Sequence, residues 1–154
     1  MGMIKTPLGW IEVHYDSDKI RSLNFKDIAL DISSIKIDNQ LFNNLISDIK
    51  DYFNKQLTSF EYGLNPAGTA FQKKVWEELT KIPYGSTCSY QEIAVRLGGV
   101  EKTRAVASAI AKNPILILIP CHRVIGSNGK LTGFSGGLNR KRLLLELEGN
   151  TFNE

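Results

Sequence analysis

The chain has 154 residues, of which 42% are hydrophobic, and its 19 Lys and Arg against 16 Asp and Glu give a net charge of +3. This length and apolar content suffice for a buried core in one domain or two small ones, and so small a net charge gives no case for binding a polyanion by itself. No apolar stretch approaches the roughly 20 residues that span a bilayer, so the sequence predicts a soluble, cytoplasmic protein with no membrane partner.

The first third of the chain has the pattern of a small sheet with one helix. Apolar and polar residues mostly alternate over 10–15, and a second apolar pattern at 20–25 follows a polar turn, which predicts a β-hairpin. Over 39–55 the period changes, and apolar residues recur at every fourth position. This pattern predicts an amphipathic helix that packs on the sheet.

Residues 62–68 contain Gly and Pro without any periodic pattern, which predicts a linker. The sequence therefore predicts an N-terminal α/β domain at 1–62 and a second domain at 69–154. Charge differs between the two halves as well. Residues 1–67 have 7 basic and 9 acidic residues, a net −2, whereas residues 68–154 have 12 basic and 7 acidic residues, a net +5. The second half is the one whose charge suits a polyanion.

The second half is predicted to be mainly helical. Two helices are expected to begin with capping boxes, in which a hydroxyl and a side chain three residues later satisfy free amides of the first turn. The pairs are Thr69 with Gln72 and Ser89 with Glu92. Further helices are predicted at 103–112, stopped by Asn113-Pro114, and through 143–145 to a stop at Gly149.

Two shorter features lie between those last helices. The apolar run at 115–119 predicts a buried strand, and Asn128-Gly129 predicts a hairpin turn. Together the elements predict an α+β fold. A small sheet with a packed helix is followed by a mostly helical domain that contains a helix-turn-helix unit of the winged-helix kind.

Cys121 directly follows the apolar run and precedes His122 and Arg123. A base and a fixed cation beside a thiol favour the nucleophilic thiolate, so we expect a lowered pKa at Cys121. Taken alone, a small core residue is the more common role of a cysteine in an apolar context. Two cysteines and two histidines cannot supply a well-spaced four-ligand zinc site, so no metal is predicted. Cys88 is expected to be structural, and a disulfide with Cys121 is the minority expectation in a reducing compartment.

Six short motifs occupy the second half in a fixed order. They are Pro83-Tyr84-Gly85, Ser89-Tyr90-Gln91-Glu92-Ile93-Ala94, Arg104-Ala105-Val106, Asn113-Pro114, Ile117-Leu118-Ile119-Pro120-Cys121-His122-Arg123-Val124 and Ser135-Gly136-Gly137-Leu138. In this order and at this spacing, the stretch from Tyr84 to Gly149 resembles the O6-alkylguanine-DNA alkyltransferase family. Residues 1–67 match only loosely, as the small sheet-and-helix domain that this family places first.

The resemblance implies a single-use DNA repair reaction without a cofactor. Cys121 would attack the alkyl carbon on guanine O6 and keep the alkyl group as a thioether, which ordinary thiol exchange does not reverse. His122 would act through a water as the base for Cys121, and Glu148 would orient His122 and stabilise its charged form. Tyr90 would give a proton to guanine N3, so that guanine leaves as a neutral base. Activity on O4-alkylthymine is left open.

The resemblance also implies the contacts that bind the base. Ser135 would meet O6, and the backbone carbonyls of Cys121 and Val124 would accept from the exocyclic amine, which distinguishes guanine from adenine. Phe134 stands where some relatives carry Tyr, so it would pack beside the alkyl group without a hydroxyl contact. Asn113 would brace the turn between the recognition helix and the active-site strand.

The implied partner is double-stranded DNA, bound through its minor groove by a monomer, with the target guanine rotated out of the stack. Arg104 would enter the duplex and fill the vacated space. Thr103 and Ala105 would lie beside it, on a helix of small side chains that comes close to the groove, and Tyr90 would also contact the DNA. The cysteine and histidine zinc ligands that some relatives carry in their first domain are missing here.

Three other functions fit parts of the sequence. A lesion-binding protein of the alkyltransferase-like kind would flip the base without an acceptor, and Cys121 argues against it. A winged-helix transcription regulator would account for residues 69–112. A cysteine hydrolase that uses Cys121 and His122 would release product repeatedly, whereas an alkyl acceptor stops at one equivalent.

Overall fold

The computed structural model describes residues 1–27 and 39–150, and the chain divides into two compact units, Met1–Ala67 and Gly68–Glu154. The first unit contains β1 (Gly2–Thr6), β2 (Gly9–Tyr15), β3 (Lys19–Lys26), α1 (Gln40–Phe53) and β4 (Gly63–Leu64). The second contains α2 (Ala70–Thr80), β5 (Cys88–Ser89), α3 (Tyr90–Arg96), α4 (Thr103–Ala111), β6 (Val124–Ile125) and α5 (Leu138–Leu147), with short 3-10 turns at Val100–Lys102 and Cys121–Arg123. The predicted α+β class is confirmed.

The first unit is a four-stranded sheet in the order β1-β2-β3-β4. β1, β2 and β3 pair antiparallel, and the β2–β3 pair is the predicted hairpin. Ile11 and Val13 in β2 are completely buried, as the two-residue period of a strand with one core face requires. β4 then pairs with β3 in parallel through Gly63 and Leu64. The predicted linker at 62–68 contains the boundary between the two units, but its residues Gly63 and Leu64 also extend the sheet through backbone hydrogen bonds, which leave no side-chain pattern.

The predicted helix over 39–55 is α1. Its N-cap is Asn39, whose side chain accepts a hydrogen bond from the Phe42 amide at 2.9 Å. One face carries the buried side chains Phe42, Leu45, Ile49 and Tyr52, spaced as an amphipathic helix requires. Any side chain at Gly2 in β1 would collide with the Phe42 ring, so helix and sheet come very close there.

Helices α2, α3 and α4 build the core of the second unit. Both predicted capping boxes are present, at Thr69 before α2 and at Ser89 before α3. α4 packs against both other helices. The buried Trp76 indole on α2 donates to the Ala109 carbonyl on α4 at 2.9 Å, which satisfies a polar group inside the core. The packing of α2 against α4 thus supports the residues that follow α4.

The run at 115–119 is buried, but it is a series of turns and the predicted strand there is wrong. Ile117 has φ of 72°, which is rare for a β-branched residue. The Asn113 side chain takes the place of a partner strand, since it donates to the Ile119 carbonyl at 2.8 Å and accepts from the Ile115 amide at 3.0 Å. A buried apolar run needs its backbone groups satisfied, and a side chain does this as well as a strand.

The chain then turns at Gly126–Lys130, where the Gly126 amide donates to the Lys130 carbonyl at 2.9 Å, as expected from Asn128-Gly129. Gly137, with φ of 93°, leads into α5. α5 ends before Gly149, whose φ is 88°. None of the helices in residues 1–27 and 39–150 combines the length and apolarity of a membrane span.

Candidate active site

The second unit contains a cavity of about 480 Å³, a volume in the range of small-molecule sites. Four parts of the chain form its wall: the first residue of α3, one face of α4, the turn that begins at Cys121, and the loop before α5. The lining residues are Tyr90, Ala107, Ile110, Ala111, Cys121, Thr132, Gly133, Phe134 and Ser135. Most of this wall is apolar, and the Cys121 thiol is the strongest potential nucleophile on it.

Cys121 begins the 3-10 turn that follows Pro120, and only 4% of its surface is exposed. Burial raises the pKa of the thiol to about 11, although the Asn113 side chain and the charge of Lys141 act in the opposite direction. The expected lowering of the Cys121 pKa is therefore wrong for the protein without a bound partner. The Arg123 cation, which was expected to lower it, is engaged elsewhere.

His122 follows Cys121 in the turn and is completely buried. Its Nε2 lies 2.8 Å from Glu148 Oε2, while its Nδ1 has no hydrogen-bond partner among the described residues. Burial lowers the pKa of His122, and this effect outweighs the opposing effect of the nearby Glu148. A neutral imidazole whose Nε2 donates to the carboxylate has a free lone pair on Nδ1. The ring can thus accept a proton at Nδ1.

Arg123 holds the other side of Glu148. Its Nε donates to Glu148 Oε1 at 2.7 Å, its Nη2 to Oε2 at 3.0 Å and its Nη1 to the Ile82 carbonyl at 2.7 Å. Burial raises the pKa of Glu148, but the hydrogen bonds from His122 and Arg123 outweigh it and lower the pKa to about 2. Glu148 is thus ionised at neutral pH and anchors His122, although a position near a helix end is typical of a solvated charge.

Tyr90 and Thr132 form a second polar group on the cavity wall, and Lys141 contacts it from the interior. The Thr132 hydroxyl donates to Tyr90 Oη at 3.1 Å, and Oη donates to the Thr132 carbonyl at 3.3 Å. The completely buried Lys141 donates from Nζ to the same carbonyl at 2.6 Å. Burial raises the pKa of Tyr90 and lowers that of Lys141 to about 8.

The other predicted site residues differ in their positions. Phe134 and Ser135 line the cavity together with Tyr90 and Cys121, whereas Val124 and Asn113 are buried next to that wall without lining it. Of the predicted DNA contacts, Tyr90 lines the cavity, and the others lie on the first turn of α4, where Arg104 and Ala105 are exposed and Thr103 is partly exposed. Because residues three apart share a helix face, Arg104 lies one turn before the cavity residue Ala107.

Lys141 and Thr132 were missed in the sequence. Lys141 carries a signal that could have identified it, because it occupies the buried stripe of α5 with Leu144 and Leu145. Leucines three and four positions after a lysine lie on the same helix face as that lysine. If the leucines are buried, the lysine charge is inside the core. Thr132 has no such signal, since a threonine in a polar loop is ordinary. The acceptor of Arg123 also required the structure, because Glu148 lies 25 residues away.

Two family models match the chain and together cover nearly all of it. The model for the DNA binding domain of 6-O-methylguanine DNA methyltransferase matches residues 70–150. The model for the ribonuclease-like domain of the same protein matches residues 1–66. The boundary between the two matches lies at the division between the two structural units.

Individual proteins agree with the family models. A methylated-DNA--protein-cysteine methyltransferase from Methanosarcina acetivorans is 42% identical over 152 residues, which cover 96% of this chain and 97% of that protein. One from Mycobacterium tuberculosis is 52% identical over 107 residues, or 70% of this chain and 65% of that protein. A crystal structure of Mycobacterium tuberculosis OGT in complex with DNA has a TM-score of 0.84 at 42% identity and covers 95% of this chain and 90% of its own.

Proposed function

Because the chain belongs to the 6-O-methylguanine DNA methyltransferase family, we infer that it repairs DNA by moving alkyl groups from O6-alkylguanine to one of its own cysteines, and we propose that the acceptor is Cys121. One observation carries this choice. Of the two cysteines in the chain, both free, Cys121 lines the cavity and Cys88 does not. The alkyl group ends as a thioether, so each molecule acts once.

The proposed activation begins from the protonated thiol. A water between Cys121 and His122 passes the thiol proton to the free Nδ1 of the ring, and Glu148 stabilises the imidazolium that results. The ionised carboxylate is held in place by Arg123, so it is available at any pH at which the protein functions. Burial keeps the resting thiol protonated, and this protects it from unwanted alkylation until a substrate is present.

The thiolate then displaces guanine in a single step. The bond between Sγ of Cys121 and the alkyl carbon forms while the bond from that carbon to O6 breaks, and its electron pair goes to the guanine. Tyr90 donates a proton to guanine N3, so that a neutral base leaves. The proton that His122 took from Cys121 balances the one that Tyr90 gave, and the net reaction converts a thiol and an O6-alkylguanine into a thioether and guanine.

Binding of the base uses the loop before α5 and the Cys121 turn. Ser135 meets O6, the backbone carbonyls of Cys121 and Val124 accept from the exocyclic amine, and Phe134 packs against the alkyl group. Adenine has no amine at that position, so these carbonyls would be left unsatisfied beside it. Asn113 keeps the backbone before Cys121 in position through its two hydrogen bonds to Ile115 and Ile119.

DNA binds along α4, the second helix of the proposed helix-turn-helix unit formed with α3. Arg104 enters the duplex as the guanine leaves it, with Thr103 and Ala105 against the minor groove. The exposed position of Arg104, one turn from the cavity residue Ala107, supports this role. The protein acts as a monomer without a cofactor or metal, in the cytoplasm, where its free thiols stay reduced.

The proposal is tested by mass spectrometry of the intact protein after incubation with duplex DNA that contains O6-methylguanine. We expect one added methylene per molecule and no further reaction when DNA is in excess. Cys121→Ala should gain nothing, and the matched control Cys88→Ala should gain as much as the wild type. Methylation of Cys121→Ala, or continued release of methanol by the wild type as a cysteine hydrolase would produce, contradicts the proposal.

A further inference from the structure

Thr132 contacts the hydroxyl of Tyr90 on the cavity wall. The Thr132 hydroxyl donates to Tyr90 Oη at 3.1 Å, and Oη in turn donates to the Thr132 carbonyl at 3.3 Å. The two residues are 42 positions apart in sequence, so the fold brings them together. Both line the cavity that contains Cys121. In the proposed transfer Tyr90 donates a proton, and Thr132 has no role yet.

Lys141 holds Thr132 from the interior of the unit. Its Nζ donates to the Thr132 carbonyl at 2.6 Å and to the Gly133 carbonyl at 3.3 Å, and among the described residues no carboxylate forms an ion pair with it. The shorter distance and the positive charge make Lys141 a stronger donor to the Thr132 carbonyl than Tyr90 is. The carbonyl therefore stays satisfied when the Tyr90 proton turns away from it.

We propose that Thr132 is a positioning residue for the proton donor Tyr90, an inference that rests on the proposed function. With the damaged base in the cavity, Oη turns its proton from the Thr132 carbonyl to guanine N3. It continues to accept from the Thr132 hydroxyl, which fixes the direction of the phenol. As the carbon–O6 bond breaks and the proton moves to N3, negative charge grows on Oη, and the Thr132 hydroxyl and the Lys141 ammonium stabilise it. The proton that left Cys121 then restores the phenol through solvent.

This arrangement acts mainly on the transition state. A hydrogen bond to a charged oxygen is stronger than one to a neutral oxygen, so the Thr132 hydroxyl contributes more once the proton has begun to move. Lys141 Nζ lies 5.8 Å from the centre of the Tyr90 ring and adds a positive charge near the forming phenolate. Loss of one hydrogen bond to such a group slows the reaction by about tenfold.

The test compares Thr132→Val, which has nearly the same shape but no hydroxyl, with Thr132→Ser, which keeps it. Single-turnover methyl transfer is measured with O6-methylguanine duplex and with the 3-deaza analogue, in which a C–H replaces N3. Thr80→Val, at an exposed hydroxyl on α2 outside the cavity, serves as the control. We expect Thr132→Val to be about tenfold slower on O6-methylguanine and no slower than the wild type on the 3-deaza analogue. Thr132→Ser and Thr80→Val should match the wild type on both.

Three results would overturn the role of Thr132. Unchanged transfer by Thr132→Val on O6-methylguanine shows that the hydroxyl is dispensable. Equal slowing on both substrates shows that valine only disturbs the cavity, since no proton can pass to the 3-deaza base. Thr132→Ser as slow as Thr132→Val shows that keeping the hydroxyl does not keep the rate, so the shape of the side chain and not its hydrogen bond sets the rate. Failure of the wild type to transfer at all is a different outcome, because it rejects the proposed function itself.

Discussion

Among the described residues of the N-terminal unit, the buried side chains are apolar or aromatic, with Ile11, Leu23 and Leu45 as examples. In the C-terminal unit, the buried side chains of the described residues also include polar and charged ones. These are Asn113, His122, Arg123, Lys141 and Glu148. Burial of such groups costs free energy unless each is paired, and here the pairing converges on the surroundings of Cys121. The second unit therefore carries buried charges around a reactive site at a cost in stability, while the first follows the ordinary rules of a small core.

The sharpest test of this contrast is to remove one carboxylate from each unit. Glu148→Ala leaves Arg123 and His122 buried without their acceptor, so the free energy of unfolding of the C-terminal unit should fall by about 3–5 kcal/mol. Asp48→Ala removes the partner of the partly exposed Tyr62 hydroxyl and should cost the N-terminal unit about 1 kcal/mol. Backbone hydrogen exchange follows each unit separately. Equal losses in the two units would remove the contrast.

Acid should act on the same carboxylate. The pKa of Glu148 is about 2 in the folded protein against an ordinary 4.5. Because the folded protein holds this carboxyl in its ionised form, the carboxylate stabilises the fold at every pH above the ordinary pKa of about 4.5. This stabilisation disappears as the pH falls from about 4.5 through about 2. Its full size is about 3 kcal/mol. Melting temperatures across this range should fall more steeply for the wild type than for Glu148→Gln, and parallel curves would argue against the assignment.

Removal of Lys141, unlike removal of Glu148, should leave stability unchanged or higher while activity falls. Burial lowers the pKa of this lysine to about 8, so the cost of the buried charge is present in full below that pH and decreases as the pH rises toward 10.5. Lys141→Met removes the charge, and water can reach the carbonyls of the exposed Thr132 and Gly133. Its stability at neutral pH should equal that of the wild type or exceed it by about 1 kcal/mol, while methyl transfer slows. A large loss of stability, measured by urea unfolding, would show that Lys141 is a structural residue.

The smallest effect on stability is expected at Arg104. This side chain is exposed, so Arg104→Ala should change the free energy of unfolding by less than about 0.5 kcal/mol. Repair of duplex DNA should nevertheless fall far more than reaction with free O6-benzylguanine, because the free base needs no extrusion. The two rates are compared in single-turnover assays, with the exposed Lys112→Ala at the end of α4 as a control. Equal losses on both substrates would contradict the proposed role in the duplex.

The sequence predicted those parts of the fold that depend on local pattern. The hairpin, α1 and both capping boxes follow from period and from short-range hydrogen bonds, and all are present. The strand predicted at 115–119 is absent because burial does not determine backbone shape. The side chain of Asn113 satisfies the backbone there in place of a partner strand. The pairing of β4 with β3 could not be predicted either, since a strand of two residues that pairs through its backbone leaves no pattern of side chains.

The candidate site was predictable only in part. Short motifs identified Cys121, Tyr90, Phe134 and Ser135, and these residues do line one cavity. The direction of the Cys121 pKa shift was wrong because the charge next to it in sequence, Arg123, turns to Glu148 while burial acts on the thiol. Solvent access and the partners of long side chains are properties of the folded chain, so no spacing rule supplies them.

We propose that the thiol in the cavity receives the alkyl group from damaged DNA. The most direct measurement is peptide mapping by tandem mass spectrometry after reaction with duplex that carries isotope-labelled O6-methylguanine. We expect one labelled methyl per molecule, all of it on the peptide that contains Cys121. Label on Cys88, or label lost to solvent while the protein remains unmodified, would contradict it.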